Sequence, residues 1–212
     1  MRELKYILTF FSLTILFGCG APPVTFDKPQ PENTAELSKF PRRVQGKFQS
    51  TEDNSVITIN DKTIFRTYDF YIKFAVNQID SNCTLVGDTI INIRTNEKQL
   101  MKREGDTLSE HIYSVDTLFS ISDFNILKKL KGYYFLNFIY GKESWEVKKL
   151  ELHRGQLSIC SISTKEDIDL LKEISESTLD SLPYRFMPTK KQFKKFVKTN
   201  GFSDVETFVK LK

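Results

Sequence analysis

Sulfur and imidazole are scarce in this sequence. Its 212 residues hold three cysteines and two histidines. They stand apart as Cys19, Cys83, Cys160, His111 and His153, without the close spacing that a zinc site needs. Glycine is scarce too, at nine. No glycine sits in a phosphate-cradling loop or in a Gly-x-Ser-x-Gly turn around a nucleophile. No apolar run reaches the roughly 18 residues that cross a bilayer. Neither sign of charge dominates: 31 basic against 27 acidic residues leave +4, which gives no case for nucleic acid. A hydrolase triad, a nucleotide site, a metal centre and a permanent transmembrane helix therefore find no support, and no cofactor is expected.

Aromatic residues, in contrast, are plentiful, with Phe 18 and Tyr 8 and an aromatic share of 13%. Such a load goes with strands and argues against disorder. From Phe40 onward, apolar and polar residues alternate between short turn signals. Val56 to Ile59, Asn60-Asp61 and Thr63 to Phe65 read as a hairpin. Tyr68 to Val76 is a further strand. Leu85-Val86, Gly87-Asp88 and Thr89 to Ile93 make a second hairpin. Lys98 to Lys102, Glu104-Gly105-Asp106 and Thr107 to Val115 make a third, and Thr117 to Ile121 continues the series. Tyr133 to Tyr140, a turn at 141–144 and Trp145 to Leu152 give the clearest hairpin, followed by Leu157 to Ile162. Residues 123–130 fit either a strand or a short helix.

At Ser163 the period changes. Ser163-Thr164-Lys165-Glu166 has the pattern of a capping box, with Ile168, Leu171 and Ile174 at helical spacing behind it. A second helix is expected from Pro188-Thr189, with Phe193, Phe196 and Val197 as its apolar stripe and Asn200-Gly201 as its stop. Residues 202–211 read as a third, short helix. The expected fold is thus mainly β, an antiparallel meander closed into a barrel or folded into a sandwich, with two or three C-terminal α-helices.

The N-terminus has its own pattern. Arg2 and Lys5 precede a twelve-residue apolar run from Tyr6 to Phe17, and Gly18-Cys19 follow. This layout reads as a secretory signal. Leu16-Phe17-Gly18-Cys19 resembles the lipobox of bacterial lipoproteins, with Phe17 where a small residue is usual. The resemblance implies lipidation of Cys19, removal of residues 1–18, and two or three acyl chains holding the protein to a membrane. The alternative is an ordinary signal with a chance cysteine. Gly20 and Ala21 bring no acid beside the anchor, which in lipoproteins of this kind favours the periplasmic face of the outer membrane. The body is similar in general style to envelope lipoproteins of Bacteroidota, but it carries no functional family's motif.

Four segments follow from this reading: a signal at 1–18, a lipidated proline-rich tether at 19–39, a β domain at 40–162 and a helical segment at 163–212. The tether holds Pro22, Pro23, Pro29 and Pro31. Extended at about 3.1 Å per residue, it would reach roughly 60 Å from the membrane.

Several side chains are candidates for chemistry. Cys83 and Cys160 can pair in an oxidising compartment or stand as buried thiols. Asp88-Thr89-Ile90, Asp106-Thr107-Leu108, Asp116-Thr117-Leu118 and Asp180-Ser181-Leu182 are similar to the O-glycosylation acceptor of exported Bacteroidota proteins. Glycans on Thr89, Thr107, Thr117 and Ser181 are what that likeness implies, and turn-to-strand junctions explain the same tripeptides. Tyr133, Tyr134, Tyr140 and Trp145 could line a sugar or lipid pocket, or serve as core and cross-strand pairs. Lys190, Lys191, Lys194, Lys195 and Lys198 lie opposite the stripe of the second helix, either as a solvated face or as a contact for anionic lipid or an acidic partner. His111 reads as part of an exposed strand.

Taken together, the sequence suggests a lipid-anchored envelope protein that binds a ligand, a partner protein or a glycan without catalysis. The alternative is an envelope hydrolase that acts on polysaccharide or peptidoglycan through carboxylates brought together by the fold.

Overall fold

A computed structural model describes residues 21–175 and 181–211. The lipobox and Cys19 lie outside the described residues. The chain is mainly β, largely antiparallel, sandwich-like rather than a closed barrel, with two helices among the described residues. It divides into two compact units. The smaller comprises 69–114 of the described chain, and the larger comprises 21–68 and 115–211.

The larger unit contains β1 (Val24–Phe26), β2 (Glu36–Leu37), β3 (Gly46–Ser50) and β4 (Val56–Ile59), and the first residues of β5 (Thr63–Ala75). The last residues of β10 (Thr107–Ser120) also belong to it. Next come β11 (Asn125–Leu130), β12 (Tyr133–Tyr140), β13 (Ser144–His153) and β14 (Gln156–Ser161). Then follow α1 (Lys165–Ser175), β15 (Tyr184–Phe186), α2 (Lys190–Lys198) and β16 (Asp204–Lys210). Its main sheet runs β2-β11-β12-β13-β14-β16-β3-β4-β5. The Asn60-Asp61 turn, the 141–144 turn and the turn at Arg154-Gly155 join neighbouring strands, as their turn chemistry demands. Residues 123–130 resolve as a strand, with Asn125 to Leu130 laddered against β12.

Two apolar clusters hold this unit. One gathers Phe40, Phe48, Ile57, Ile64, Phe119, Tyr134, Leu150 and Phe208 with their neighbours. The other gathers Phe26, Phe135, Val147, Cys160, Leu171, Phe193, Phe196 and Phe202. Successive residues of β12 serve different clusters, Tyr134 and Leu136 the first and Phe135 the second. A strand buried on both faces is a central strand, and Tyr133-Tyr134-Phe135-Leu136 is accordingly apolar without alternation.

Three expectations are corrected here. The proline-rich segment is not a free tether along its length. Val24, Thr25 and Phe26 are buried, β1 runs parallel to β15, and β2 pairs with β11. Its polar backbone is met by two buried side chains. Asn137 accepts from Gln30 N–H (2.5 Å) and donates to Gln30 C=O (2.9 Å), while Lys128 Nζ donates to the carbonyls of Pro29 and Pro31 (3.0 and 3.2 Å). Residues 202–211 form a strand instead of a helix. β16 lies between β14 and β3, and its Val205, Thr207 and Val209 suit a pleated surface that has partners on both edges. The 163–212 segment is therefore part of the sheet as well as its helical cover. The cap of α1 also shifts by one residue. Thr164 Oγ1 accepts from Asp167 N–H, and Asp167, itself buried, accepts from Ser203 N–H and Oγ–H.

The second helix meets expectation. Thr189 caps α2 in a reciprocal box with Gln192. At the other end the two stop residues divide the work. Asn200 takes the left-handed conformation, with φ of 59°, and Gly201 N–H donates to Phe196 C=O. A Cβ on Gly201 would run into the buried Phe196 ring. Gly201→Ala is therefore expected to destabilise the larger unit by about 1–3 kcal/mol. Urea unfolding would check this, and Asn200→Gly should be nearly neutral beside it.

The smaller unit holds the remainder of β5 and β10, with β9 (Lys102–Glu104) at the edge next to β10. A separate antiparallel sheet orders β6 (Cys83–Val86), β7 (Thr89–Asn92) and β8 (Lys98–Leu100). The Gly87-Asp88 hairpin is present. The turn before Thr107 is present as well, but its first arm is Lys102–Glu104, whereas Lys98–Leu100, expected in that arm, pairs with β7 in the separate sheet. Ile90, Met101 and Leu108 form the core, flanked by Phe74, Val76, Ile79, Cys83 and Leu85.

Candidate functional site

In the smaller unit, β5 alternates strictly. Phe70, Ile72 and Phe74 are half-buried, whereas Asp69, Tyr71 and Lys73 are exposed. β10 alternates in the same way, with His111 and Tyr113 exposed. One wet face of a ribbon thus carries three rings in a row. Tyr71 stacks on His111 with ring centroids 4.7 Å apart, and Tyr113 lies 6.3 Å beyond. Tyr71 is 60% and Tyr113 63% exposed, unusual for side chains whose apolar bodies favour burial.

Polar groups frame the rings. His111 Nε2 sits 2.7 Å from Asp69 Oδ1. An ionised carboxylate only accepts, so Nε2 carries the proton and donates. This bond fixes the imidazole plane under Tyr71. The register of β9, with Ser109 opposite Lys102, puts Lys102 and Glu104 on the same face. Their 2.7 Å ion pair holds Lys102 above and Glu104 below its ordinary value. The result is an exposed row of three rings bordered by a carboxylate and an ion pair.

The sequence reading placed His111 on an exposed strand but missed its companions. Tyr71 and Tyr113 are 42 positions apart, and nothing in the chain announces that they meet. The available signal was one ring, Tyr71, on the polar side of one strand and two, His111 and Tyr113, on the polar side of another.

The other candidates sort differently. Tyr133, Tyr134, Tyr140 and Trp145 do not form one pocket. Tyr134 is fully buried in the first cluster, its OH accepting from Arg43 Nε at 2.8 Å, while Tyr133 packs on the second cluster. Tyr140 ends the same strand, seven residues or about 24 Å from Tyr133. Trp145 stands opposite Ile139 and Phe26 as a cross-strand neighbour.

Cys83 and Cys160 stand as free thiols, one of the two alternatives that the sequence left open. Each belongs to the core of a different unit. Burial pushes the Cys160 thiol up to about 11 and raises Cys83 as well. Neither offers a thiolate for nucleophilic or metal chemistry at neutral pH. Among the described residues, no group of three or more His, Cys, Asp or Glu side chains could hold a metal.

Of the acceptor-like tripeptides, Thr89 begins β7 half-buried, and Thr107 begins β10 exposed. Thr117 is exposed within β10 rather than at its start, and Ser181 is exposed in a bend before β15. The lysine face of α2 lies as expected, with Phe193, Phe196 and Val197 buried, Lys190, Lys191, Lys195 and Lys198 exposed, and Lys194 half-buried.

Among the described residues no helix is long and apolar enough to cross a membrane. Comparison with family models, with curated proteins and with solved structures finds no match to this chain.

Proposed function

We propose that this is a lipid-anchored protein of the cell envelope that binds without catalysis, and that its ligand is a saccharide. The observation that carries the reading is the exposed row Tyr71–His111–Tyr113 with Asp69 beneath it. A pyranose presents a face of C–H bonds and a rim of hydroxyls. The C–H face stacks on an aromatic ring, whose π face is negative. The hydroxyls find Asp69, Lys102 and Glu104 as acceptors and donors at the row's border. An exposed row of rings outside any cleft suits a polymer chain better than an enclosed small molecule. Exposed apolar surface framed by polar groups is the ordinary mark of a contact site.

The anchor is a proposal from the lipobox at Leu16 to Cys19, with the periplasmic face of the outer membrane as its place. The hydrolase alternative has no specific observation behind it.

The test is affinity electrophoresis in gels containing neutral polysaccharide or soluble peptidoglycan strands. Retardation is expected in at least one gel, weakened about tenfold by Tyr71→Ala or Tyr113→Ala, with unfolding unchanged because both rings are exposed. Migration that no polysaccharide alters, or that the double variant shares, would end the saccharide reading.

A further inference from the structure

We propose that the lysine face of α2, joined by Lys131, is a contact surface for the anionic phosphodiester headgroups of a bilayer. The inference rests on the lipid anchor proposed at Cys19 and adds to it a second, electrostatic hold on the same membrane.

The first support is the distance from the anchor. From Cys19 to Val24 is five residues, at most about 17 Å of extended chain. At Val24 the chain enters β1 and is buried. Helix α2 packs directly on that strand, with the Phe26 and Phe193 ring centroids 6.0 Å apart and edge-on. Lys190 Nζ also donates to Asn33 C=O at 3.2 Å. The lysine helix is thus fixed against the part of the body that the anchor draws closest to the membrane.

The charge is the second support. α2 reads Lys190-Lys191-Gln192-Phe193-Lys194-Lys195-Phe196-Val197-Lys198 and contains no acid. Its apolar stripe is spent on the core, so the outward face is almost wholly ammonium. Lys131, in the left-handed turn between β11 and β12, meets the same cluster. Lys194 and Lys198 beside it pull its ammonium below the ordinary value, a sign of crowded like charge. Among the described residues none of these lysines has a carboxylate within ion-pair distance. Close by, Glu36 lies near Lys128. Lys128 is turned inward onto Pro29 and Pro31, and Glu32 is paired with Lys28. Crowded cations held together without counter-charge are an unfavourable arrangement in isolation, relieved by a polyanionic surface.

An apolar fringe is the third. β15 runs parallel to β1 with Tyr184 level with Val24, and Leu182 lies in the bend that leads into it. Leu182 is 70% exposed, and Met187, just ahead of the α2 cap, is 64% exposed. Lysines with a few exposed aliphatic side chains are the composition of a helix that rests on headgroups.

A chain beginning at Gly20 keeps every described element and carries no acyl group, so it isolates this surface from the anchor. Its sedimentation with vesicles of phosphatidylcholine mixed with phosphatidylglycerol, against vesicles of phosphatidylcholine alone, is the measurement. Binding is expected only with the anionic vesicles and is expected to fall with added salt. Lys131→Glu, Lys194→Glu and Lys198→Glu together should weaken it by about a hundredfold or more, since each lysine near such a surface contributes roughly fivefold. Lys62→Glu, Lys142→Glu and Lys165→Glu together change net charge equally at other exposed sites and should weaken it far less. Equal binding to both vesicle types, no binding to either, or equal loss in the two triple variants would overturn the proposal. Palmitate labelling of the full chain and of Cys19→Ser in cells reports the anchor separately, so that either idea can fail alone.

Discussion

Asn137→Ala is expected to destabilise the larger unit by about 2–6 kcal/mol and to loosen residues 21–37 from it. Asn137 is fully buried and makes four hydrogen bonds, two of them to the backbone of Gln30 and the others to the carbonyls of Ile126 and Phe135. Truncation leaves Gln30 N–H and C=O inside the protein without their partner. An orphaned buried polar group costs about 1–3 kcal/mol, and two of them set the range. Urea unfolding gives the stability change. Limited proteolysis gives the location, because the N-terminal segment should be cut well before the sheet. Asn137→Asp should fail too, since a carboxylate cannot donate to Gln30 C=O. A loss below about 1 kcal/mol for the alanine variant would mean that this segment is held by other contacts.

Phe193→Ala is expected to cost about 3–5 kcal/mol. The ring has no exposed surface and meets Phe26, Phe135 and Phe202 at centroid distances of 6.0, 5.1 and 6.1 Å. It is the contact that α2 makes with β1, with β12 and with the turn into β16 at once. Deleting it opens a cavity among three aromatic faces that the surrounding sheet cannot collapse to fill. For a chain of this size the loss corresponds to about 10 °C in Tm. Phe193→Leu keeps most of the volume and should cost far less. Scanning calorimetry of both variants checks the prediction. Similar Tm values for the two would show that the helix is secured elsewhere.

These two sites mark the limit of what the sequence reveals. The hairpins were legible because their signals are local: Asn60-Asp61, Gly87-Asp88 and Gly105-Asp106 sit between alternating runs. The stripe and lysine face of α2 were legible from helical period alone. The N-terminal segment was not, because its order depends on Asn137 and Lys128, about a hundred residues away. Prolines and polar residues look like a spacer until a distant side chain answers their backbone groups. Residues 202–211 misled for a related reason. Phe202, Val205, Phe208 and Val209 fit a helical period, and only the vacant edges of β14 and β3 select the strand. The aromatic row escaped notice because Tyr71, His111 and Tyr113 share a face only after β5 and β10 pair.

The position of β16 bears on the order of assembly. A ribosome delivers β3 and β14 long before residues 204–210, yet these two strands are joined only through that last piece. Such late, long-range closure makes folding slow and keeps the nascent chain open. Under the export proposed above, translocation would precede the step that locks the sheet. Trimming Phe208 and the residues after it should therefore abolish the native state rather than merely shorten it, for Phe208 is buried in the main core.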